Sequence, residues 1–420
     1  MKQTTDLSNI VNVSIIIPLH NDYSLFEILS KELINLTVNP NEIIIVDSST
    51  IKQKEHPSIK RLKNKFNLKY IPSKNLFPGK ARNEGVKQST SKYIAFLDVK
   101  TKPKVDWLEK SYNLISNSSN KKIIFGYTKF KSKNYFQEIV KCATYGDILY
   151  KTLPGSIIDK EYFIDNGGFI EDVRSGEDYY WKNNLNEEYI YDIDIKNYEN
   201  YLIYSELPAN INNLSKKYFS YSISTAKVDI MQNIKSYYMS IFLILIAFLV
   251  PRWNYIVGWE NSLFFIPNVT KIFIVFLIFS GFVYYSLIYF FRRKIYIPVI
   301  SKTVLFLCLF FFSLVIFRWN EIIPNVTQKI IFYIPHITKI YILTVILTSL
   351  IVRGIILPYI RDINFKFILR NWFLIGLIGL YLDLIKAPGY ILGFIYGFFN
   401  IYPDKSFLKN QLKLRKRILF

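Results

Sequence analysis

The sequence predicts an α/β domain over residues 1–230 with a mostly parallel sheet, an α-helical transmembrane domain over 231–400, and a basic tail over 401–420. Three observations carry this. Short β-branched runs alternate with helically spaced segments in the first half, and apolar runs dominate after about Ile230. The mean hydropathy of +0.17, with 17% aromatic residues, is too high for a chain wholly in water.

In the first half, the run Val13-Ser14-Ile15-Ile16-Ile17-Pro18 and the run Glu42-Ile43-Ile44-Ile45-Val46-Asp47 flank a segment with Leu25, Ile28, Leu29 and Leu33 at helical spacing. This is a βαβ pattern. A third run, Tyr93 to Asp98, follows a helix predicted from Gly79 to about Gln88, and continuous apolar strands of this kind imply a sheet covered on both faces. Ligands of such sheets bind beyond the carboxyl ends of the strands, where Asp47 and Asp98 fall. A strand-end Asp can also serve only as a turn or helix cap. A second acidic site, Gly176-Glu177-Asp178, lies downstream. Two separated acidic sites suit group transfer, with one carboxylate near a charged donor and the other taking a proton from an acceptor hydroxyl.

The formal net charge is +21, but the lysines are spread along the chain and accompany heavy use of Asn, Ile and Tyr, so nucleic acid is not the expected partner. The cluster Lys413-Leu414-Arg415-Lys416-Arg417 suits an anionic leaflet, at about 1 kcal/mol per charge held close to it, or is simply solvated. The two cysteines, Cys142 and Cys308, give neither a disulfide framework nor a zinc pattern, and the first half reads as cytosolic. Its first apolar run, Val13 to Leu19, is too short and too β-branched for a signal peptide.

Four motifs then occur in a telling order: Val13 to Asn21, Ile45-Val46-Asp47-Ser48-Ser49-Thr50, Gly79-Lys80-Ala81-Arg82-Asn83-Glu84-Gly85 and Phe96-Leu97-Asp98. Gly167-Gly168-Phe169 and Gly176-Glu177-Asp178 follow them. Over roughly its first 230 residues the chain resembles the family 2 glycosyltransferases. The resemblance implies a GT-A fold and an inverting transferase that takes a sugar from a nucleotide-diphosphate donor. Pro18 and Asp47 then lie near the nucleoside, and Asp178 is the catalytic base with Glu177 beside it. Lys80 and Arg82, at the start of a helix, offer a suitable environment for the diphosphate or are solvated surface charges.

The chain departs from the family pattern at Asp98-Val99-Lys100, where relatives carry a second Asp that helps to hold Mg²⁺ or Mn²⁺. If the strand continues, Asp98 and Lys100 share a face and can pair beside the donor, the ammonium supplying part of the metal's charge. Alternatively Asp98 holds a metal alone, or Lys100 points to solvent. An inactive, binding-only relative is a further reading, opposed by the presence of Asp178. Thr152 to Ile158 and Gly167-Gly168-Phe169 are turn-rich and suit a loop on the acceptor side or ordinary connections. Trp181, one helical turn after Asp178, is a candidate to stack on an acceptor sugar, against core packing as the alternative. No Gln-x-x-Arg-Trp motif occurs, which favours single addition over processive synthesis.

The second half has apolar runs at Tyr237–Val250, Ile272–Phe291, Thr303–Phe317, Ile340–Val352 and Trp372–Phe399. These predict about four spans plus a broken or re-entrant segment, because Asp383, Lys386 and Pro388 interrupt the last run. Asp383 and Lys386 can also neutralise each other at i+3, and Arg353 is read as snorkelling. Arg292-Arg293-Lys294, and Arg361, Lys366 and Arg370, fall on the inner side together with the catalytic domain. Lys216 to Tyr221 reads as an interfacial helix. The expectation is a bacterial inner-membrane enzyme with a lipid-linked acceptor, polyprenyl-linked or a glycolipid. A polyprenyl-phosphate monosaccharide synthase is the rival.

Overall fold

The structure, a computed structural model, describes residues 9–227, apart from 53, 55, 196 and 197, and residues 350–399. The runs Tyr237–Val250, Ile272–Phe291 and Thr303–Phe317, most of Ile340–Val352, and the basic tail lie outside the described residues.

The first half builds one sheet from eight strands: β1 (Ile10–Leu19), β2 (Asn39–Asp47), β3 (Leu68–Pro72), β4 (Tyr93–Phe96), β5 (Thr101–Lys102), β6 (Ile123–Phe130), β7 (Tyr150–Asp159) and β8 (Leu202–Tyr204). Their order is β3-β2-β1-β4-β7-β6-β8-β5. The half from β3 to β4 is parallel, as predicted from its apolar runs. Past β4 the sheet becomes mixed: β7 is antiparallel to both β4 and β6, and β5 to β8. The sheet is therefore a mixed α/β sheet consistent with the GT-A type.

The central strands have few polar residues because both faces are covered. Ile15, Ile17, Ile43, Ile45, Ala95 and Leu97 enter one apolar cluster, while Ile16, Ile44, Val46, Ile94 and Phe96 enter another. The two-residue period of a strand assigns neighbours to opposite faces. One cluster is sealed by α1 (Tyr23–Ile34) through Phe26, Leu29 and Leu33, and by α4 (Trp107–Ser116) through Trp107 and Leu108. Ile28, expected on the inner face of α1, is exposed, and Phe26 takes that place. On the other face lies α3 (Pro78–Gln88), within a residue of its predicted start.

Thr152 to Ile158, expected in an acceptor loop, instead belongs to β7 in the middle of the sheet. The local Pro and Gly are accommodated where the β6–β7 register shifts between Ile124 and Gly126, an irregularity that absorbs a proline in a paired strand.

Residues 350–393 form one compact unit with this domain. A helical stretch from Leu350 contains a π-helical segment, Val352–Ile356, continues as α9 (Leu357–Ile360), turns, and enters α10 (Phe365–Phe399). Ile363, Ile368 and Ile375 pack against Ile139 and Cys142 of α5 (Tyr135–Thr144). Leu382 packs with Val140, Leu214 and Tyr218, the last two on α8 (Ile211–Lys227). Polar ties reinforce the dock: the Tyr135 hydroxyl donates to Asn371 at 2.6 Å, and the Arg361 guanidinium donates to the Ala143 carbonyl at 3.0 Å.

The final apolar run is a continuous helix rather than the broken or re-entrant segment expected from Asp383, Lys386 and Pro388. Asp383 is neutralised from the neighbouring helix, by Arg353 at 2.5 Å, so its charge does not force a break, and Arg353 is a partner in an ion pair rather than a snorkelling residue. Among the described residues, one helix, Phe365–Lys386, is long and apolar enough to cross a membrane, with a mean hydropathy of 1.6.

Close approach of the two helices depends on glycine. A Cβ on Gly354 would sit 2.1 Å from the Trp372 carbonyl oxygen, and one on Gly376 would sit 2.8 Å from that of Leu350. Small residues at such crossings let backbones meet. Replacing Gly354 by Leu is expected to destabilise this dock by about 1–3 kcal/mol, read as a lower midpoint of thermal unfolding for the detergent-solubilised protein.

Candidate active site

The sequence fragments meet around one buried guanidinium. Arg82, on the first turns of α3, has a side chain only 6% exposed. One of its nitrogens donates to Asp98 at 2.7 Å and the other to Glu177 at 2.6 Å. Asp98 follows the end of β4, and Glu177 opens α7 (Glu177–Asn183). Residues that are 79 positions apart thus share one cation.

Local geometry makes this convergence specific. Gly176 precedes α7 with φ +91°, a left-handed conformation that a residue with a Cβ adopts only with strain. Asn83 lies next to Arg82 on α3 and clamps the loop ahead of α7: its amide donates to the Phe169 carbonyl at 2.8 Å and its oxygen accepts from the Phe169 N–H at 3.0 Å. The sequence contained Asn83 within a motif, but nothing local reveals that its side chain acts as a strand edge for a loop 86 residues away.

The two neighbouring acids of α7 have different environments. Burial pushes the Glu177 carboxyl above its ordinary value, with the charge of Arg82 opposing. Glu177 is engaged by Arg82. Asp178 is half-buried, and its Oδ1 accepts only its neighbour Tyr179 N–H, at 2.8 Å, among the hydrogen bonds found. Burial would lower the basicity of Arg82, but the charges of Asp98, Glu177 and Asp178 raise it, so the guanidinium stays protonated and pairs with Asp98 and Glu177.

Several expected donor contacts take other roles. Arg82 is engaged by carboxylates and is enclosed rather than open to a diphosphate. Lys80 pairs with Glu171 at 3.6 Å across a half-exposed gap. Pro18 sits on β1, beyond the last β4 pairing at Ile16, where the strand has one neighbour and a missing N–H is tolerated. Asp47 ends β2 as expected, yet it is fully buried: it accepts the Tyr23 hydroxyl at 2.5 Å, the Tyr70 hydroxyl, and the Ser49 N–H at 2.9 Å. Desolvation would raise this carboxyl, but these hydrogen bonds outweigh it and hold it below the ordinary value. Trp181 packs with Phe125, Phe163 and Phe169 at 2% exposure, so it is a core residue and not an acceptor platform.

The expected pairing of Asp98 with Lys100 does not form. β4 stops at Phe96, and the chain turns so that the Thr101 N–H returns to the Asp98 carbonyl at 3.0 Å. Strand alternation no longer applies, and Lys100 pairs with Asp22 at 3.1 Å. This bears on a divalent cation. One Asp98 oxygen is taken by Arg82, the second carboxylate of the usual motif is a lysine, and among the described residues no group of three or more His, Cys, Asp or Glu could hold a metal. Among the described residues no protein cage for Mg²⁺ or Mn²⁺ is present; Asp98, through the oxygen that Arg82 leaves, is the carboxylate that would hold a divalent cation together with substrate oxygens and water.

Residues 14–171 match the description glycosyl transferase family 2. An uncharacterized glycosyltransferase of Rickettsia felis is 30% identical over 200 residues, which cover 42% of this chain and 32% of that protein. Another, from Rickettsia bellii, is 28% identical over 181 residues, covering 40% and 25% respectively. The matches thus span a third or less of each relative's own length. Among solved structures, S. aureus TarS 1-349 in complex with UDP-GlcNAc is 15% identical, covering 86% of this chain and 91% of that one at a TM-score of 0.37. The mannosyltransferase PcManGT from Pyrobaculum calidifontis, in complex with GDP-Man and Mn²⁺, is 14% identical, covering 51% and 62% at a TM-score of 0.38. The N-terminal domain belongs to glycosyl transferase family 2, an assignment that rests on the sequence match.

Two outcomes follow from the buried charges. Arg82→Met leaves Glu177 buried without its cation and is expected to cost about 3–5 kcal/mol in chemical denaturation, while Arg82→Met combined with Glu177→Leu regains most of that. The depressed Asp47 carboxyl contributes stability that is complete above its ordinary value near 3.8 and is lost as pH falls through its folded value. The stability difference between wild type and Asp47→Asn should therefore be constant at neutral pH and shrink below about pH 4, measured by urea midpoints across pH.

Proposed function

We propose that this chain is an inverting glycosyltransferase that moves a single sugar from a nucleotide-diphosphate donor to a hydroxyl of a lipid-linked acceptor in cell-envelope glycan synthesis, with its catalytic domain on the cytoplasmic face of a bacterial inner membrane. The observation that supports it most is the division of labour at Gly176-Glu177-Asp178. Glu177 is consumed by Arg82, while its neighbour Asp178 remains the accessible carboxylate beside the same cation.

In the reaction, Asp178 accepts the acceptor hydroxyl proton as the oxygen attacks the anomeric carbon. The carbon–oxygen bond to the diphosphate breaks, and the nucleotide diphosphate leaves with that electron pair. One displacement from the opposite face inverts the anomeric configuration. Arg82 and Glu177 act through position, fixing Asp98 and the first turn of α7 relative to each other.

The membrane part of the reading is supported by α10. It is mostly apolar, and Phe365, Leu369, Phe373, Leu377 and Leu384 remain exposed along it after it has docked on α5 and α8. A bilayer is the solvent that such a surface suits, and anchoring raises the effective concentration of a lipid-borne acceptor.

The test is nucleotide-diphosphate release from UDP-, GDP- and dTDP-sugars by the detergent-purified full chain with native lipid extract. Release from one donor class is expected, and Asp178→Asn should reduce it about 10²–10⁴-fold. Substantial activity in Asp178→Asn would favour transfer to a lipid phosphate, which needs no hydroxyl base. Failure with every donor, alongside intact nucleotide binding, would favour a binding-only protein.

A further inference from the structure

Lys217 on α8 is the cation that neither the fold nor the proposed chemistry has absorbed. Its ammonium lies 3.4 Å from the Tyr204 hydroxyl and over two rings, 5.4 Å from the centroid of Tyr204 and 5.7 Å from that of Tyr221. Among the described residues no carboxylate lies within ion-pairing distance of it. Burial, helped by the charge of Lys100, pushes its pKa down to about 8.

Tyr204 locates this lysine within the site. It is the β8 residue opposite Thr101 of β5, and Thr101 donates its N–H and hydroxyl to the Asp98 carbonyl at 3.0 and 2.7 Å. The charge of Asp98 also reaches Tyr204 and Tyr221. The groups on Lys217 are therefore the rings of Tyr204 and Tyr221 and the charge of Lys100, which precedes Thr101 in the turn after β4, while the charge of Glu206, two residues past β8, reaches Tyr204. Glu206 is taken by Lys133. Lys100 is held at 40% exposure by Asp22, so its side chain still reaches solvent.

Lys100 precedes Thr101 and Lys217 meets Tyr204, so the two lysines flank the Thr101–Tyr204 pair of β5 and β8; their like charges oppose each other at a cost in the empty protein, which the rings lessen without neutralising the Lys217 ammonium. An anion placed between them recovers that cost. We propose that Lys217 and Lys100 form a two-lysine site for the diphosphate of the donor, supplying at Asp98 the positive charge that the missing second carboxylate would otherwise have recruited as a metal ion. The site rests on the transferase reading for its ligand, but its residues and its ligand class can be tested without turnover. It also gives α8 a role beyond docking: the helix that joins the catalytic domain to the membrane-like half carries one jaw of the diphosphate clamp.

The probe is inorganic pyrophosphate, titrated calorimetrically into the full-length, detergent-solubilised chain with EDTA present at pH 7. Wild type is expected to bind. Lys217→Gln and Lys100→Gln should each weaken binding roughly 10–100-fold, the loss of one charge-assisted contact, while Lys217→Arg keeps most of it. Lys216→Gln, an exposed neighbour on the same helix, should bind as wild type does. Thermal midpoints separate a folding defect from a lost contact, since replacing a buried cation by an uncharged residue should not lower stability if the ammonium serves the ligand. Binding that is indifferent to Lys217→Gln, or that appears only when Mg²⁺ is added, overturns the proposal. Metal-free pyrophosphate binding that depends on both lysines, in a protein that transfers no sugar from any donor, would remove the transferase reading and keep the anion site.

Discussion

The enclosed guanidinium of Arg82 is the constraint on which the site depends. A cation with so little access to water persists only if carboxylates surround it, and the fold provides them from two places, the end of β4 and the start of α7. The arrangement explains why neighbouring acids on α7 differ. Glu177 is buried and fixed by the ion pair, so the first turn of α7 has one orientation, while Asp178 stays half-buried. Gly176, with its left-handed backbone, and Asn83, which grips Phe169, hold the approach to that turn. What looks from the sequence like a pair of acids is one carboxylate held by an ion pair and one half-buried carboxylate that accepts the Tyr179 N–H.

The second theme is charge without a conventional partner. At the end of β4 the chain turns instead of continuing, and the lysine in place of a second metal-binding acid is carried away from Asp98 to Asp22. Lys217 arrives from α8 and stands over Tyr204, which is paired to the strand that leaves Asp98. The turn after Asp98 and the ring of Tyr204 opposite it thus carry ammonium groups, Lys100 and Lys217. Electrostatic stabilisation of a departing diphosphate needs positive charge fixed in advance, and nothing in that requirement demands that a metal supply it.

Residues 350–393 touch the catalytic domain through α5 and α8. The ion pair of Arg353 with Asp383 and the close crossing at Gly354 show how charged and small residues are used inside an apolar helix pair: the charges neutralise each other, and the glycines let the backbones meet. One helix, α8, thus bears both Leu214 and Tyr218, which pack with Leu382 of α10, and Lys217, which stands over Tyr204.

Strand patterns, the βαβ order and the helix at Gly79 to Gln88 were determined by the sequence, because short apolar runs, helical spacing and turn chemistry act over a few positions and can be read there. The roles of individual side chains were not. Asp47 was legible as a strand end, but only the fold brings Tyr23 and Tyr70 over it; Trp181 was legible as an aromatic one turn from an acid, but only the fold surrounds it with Phe125, Phe163 and Phe169. The same holds for Arg82, Asn83 and Lys217, whose partners lie far along the chain. A side chain's function depends on what tertiary packing leaves open or encloses, and that is decided by contacts between distant segments which no local pattern encodes.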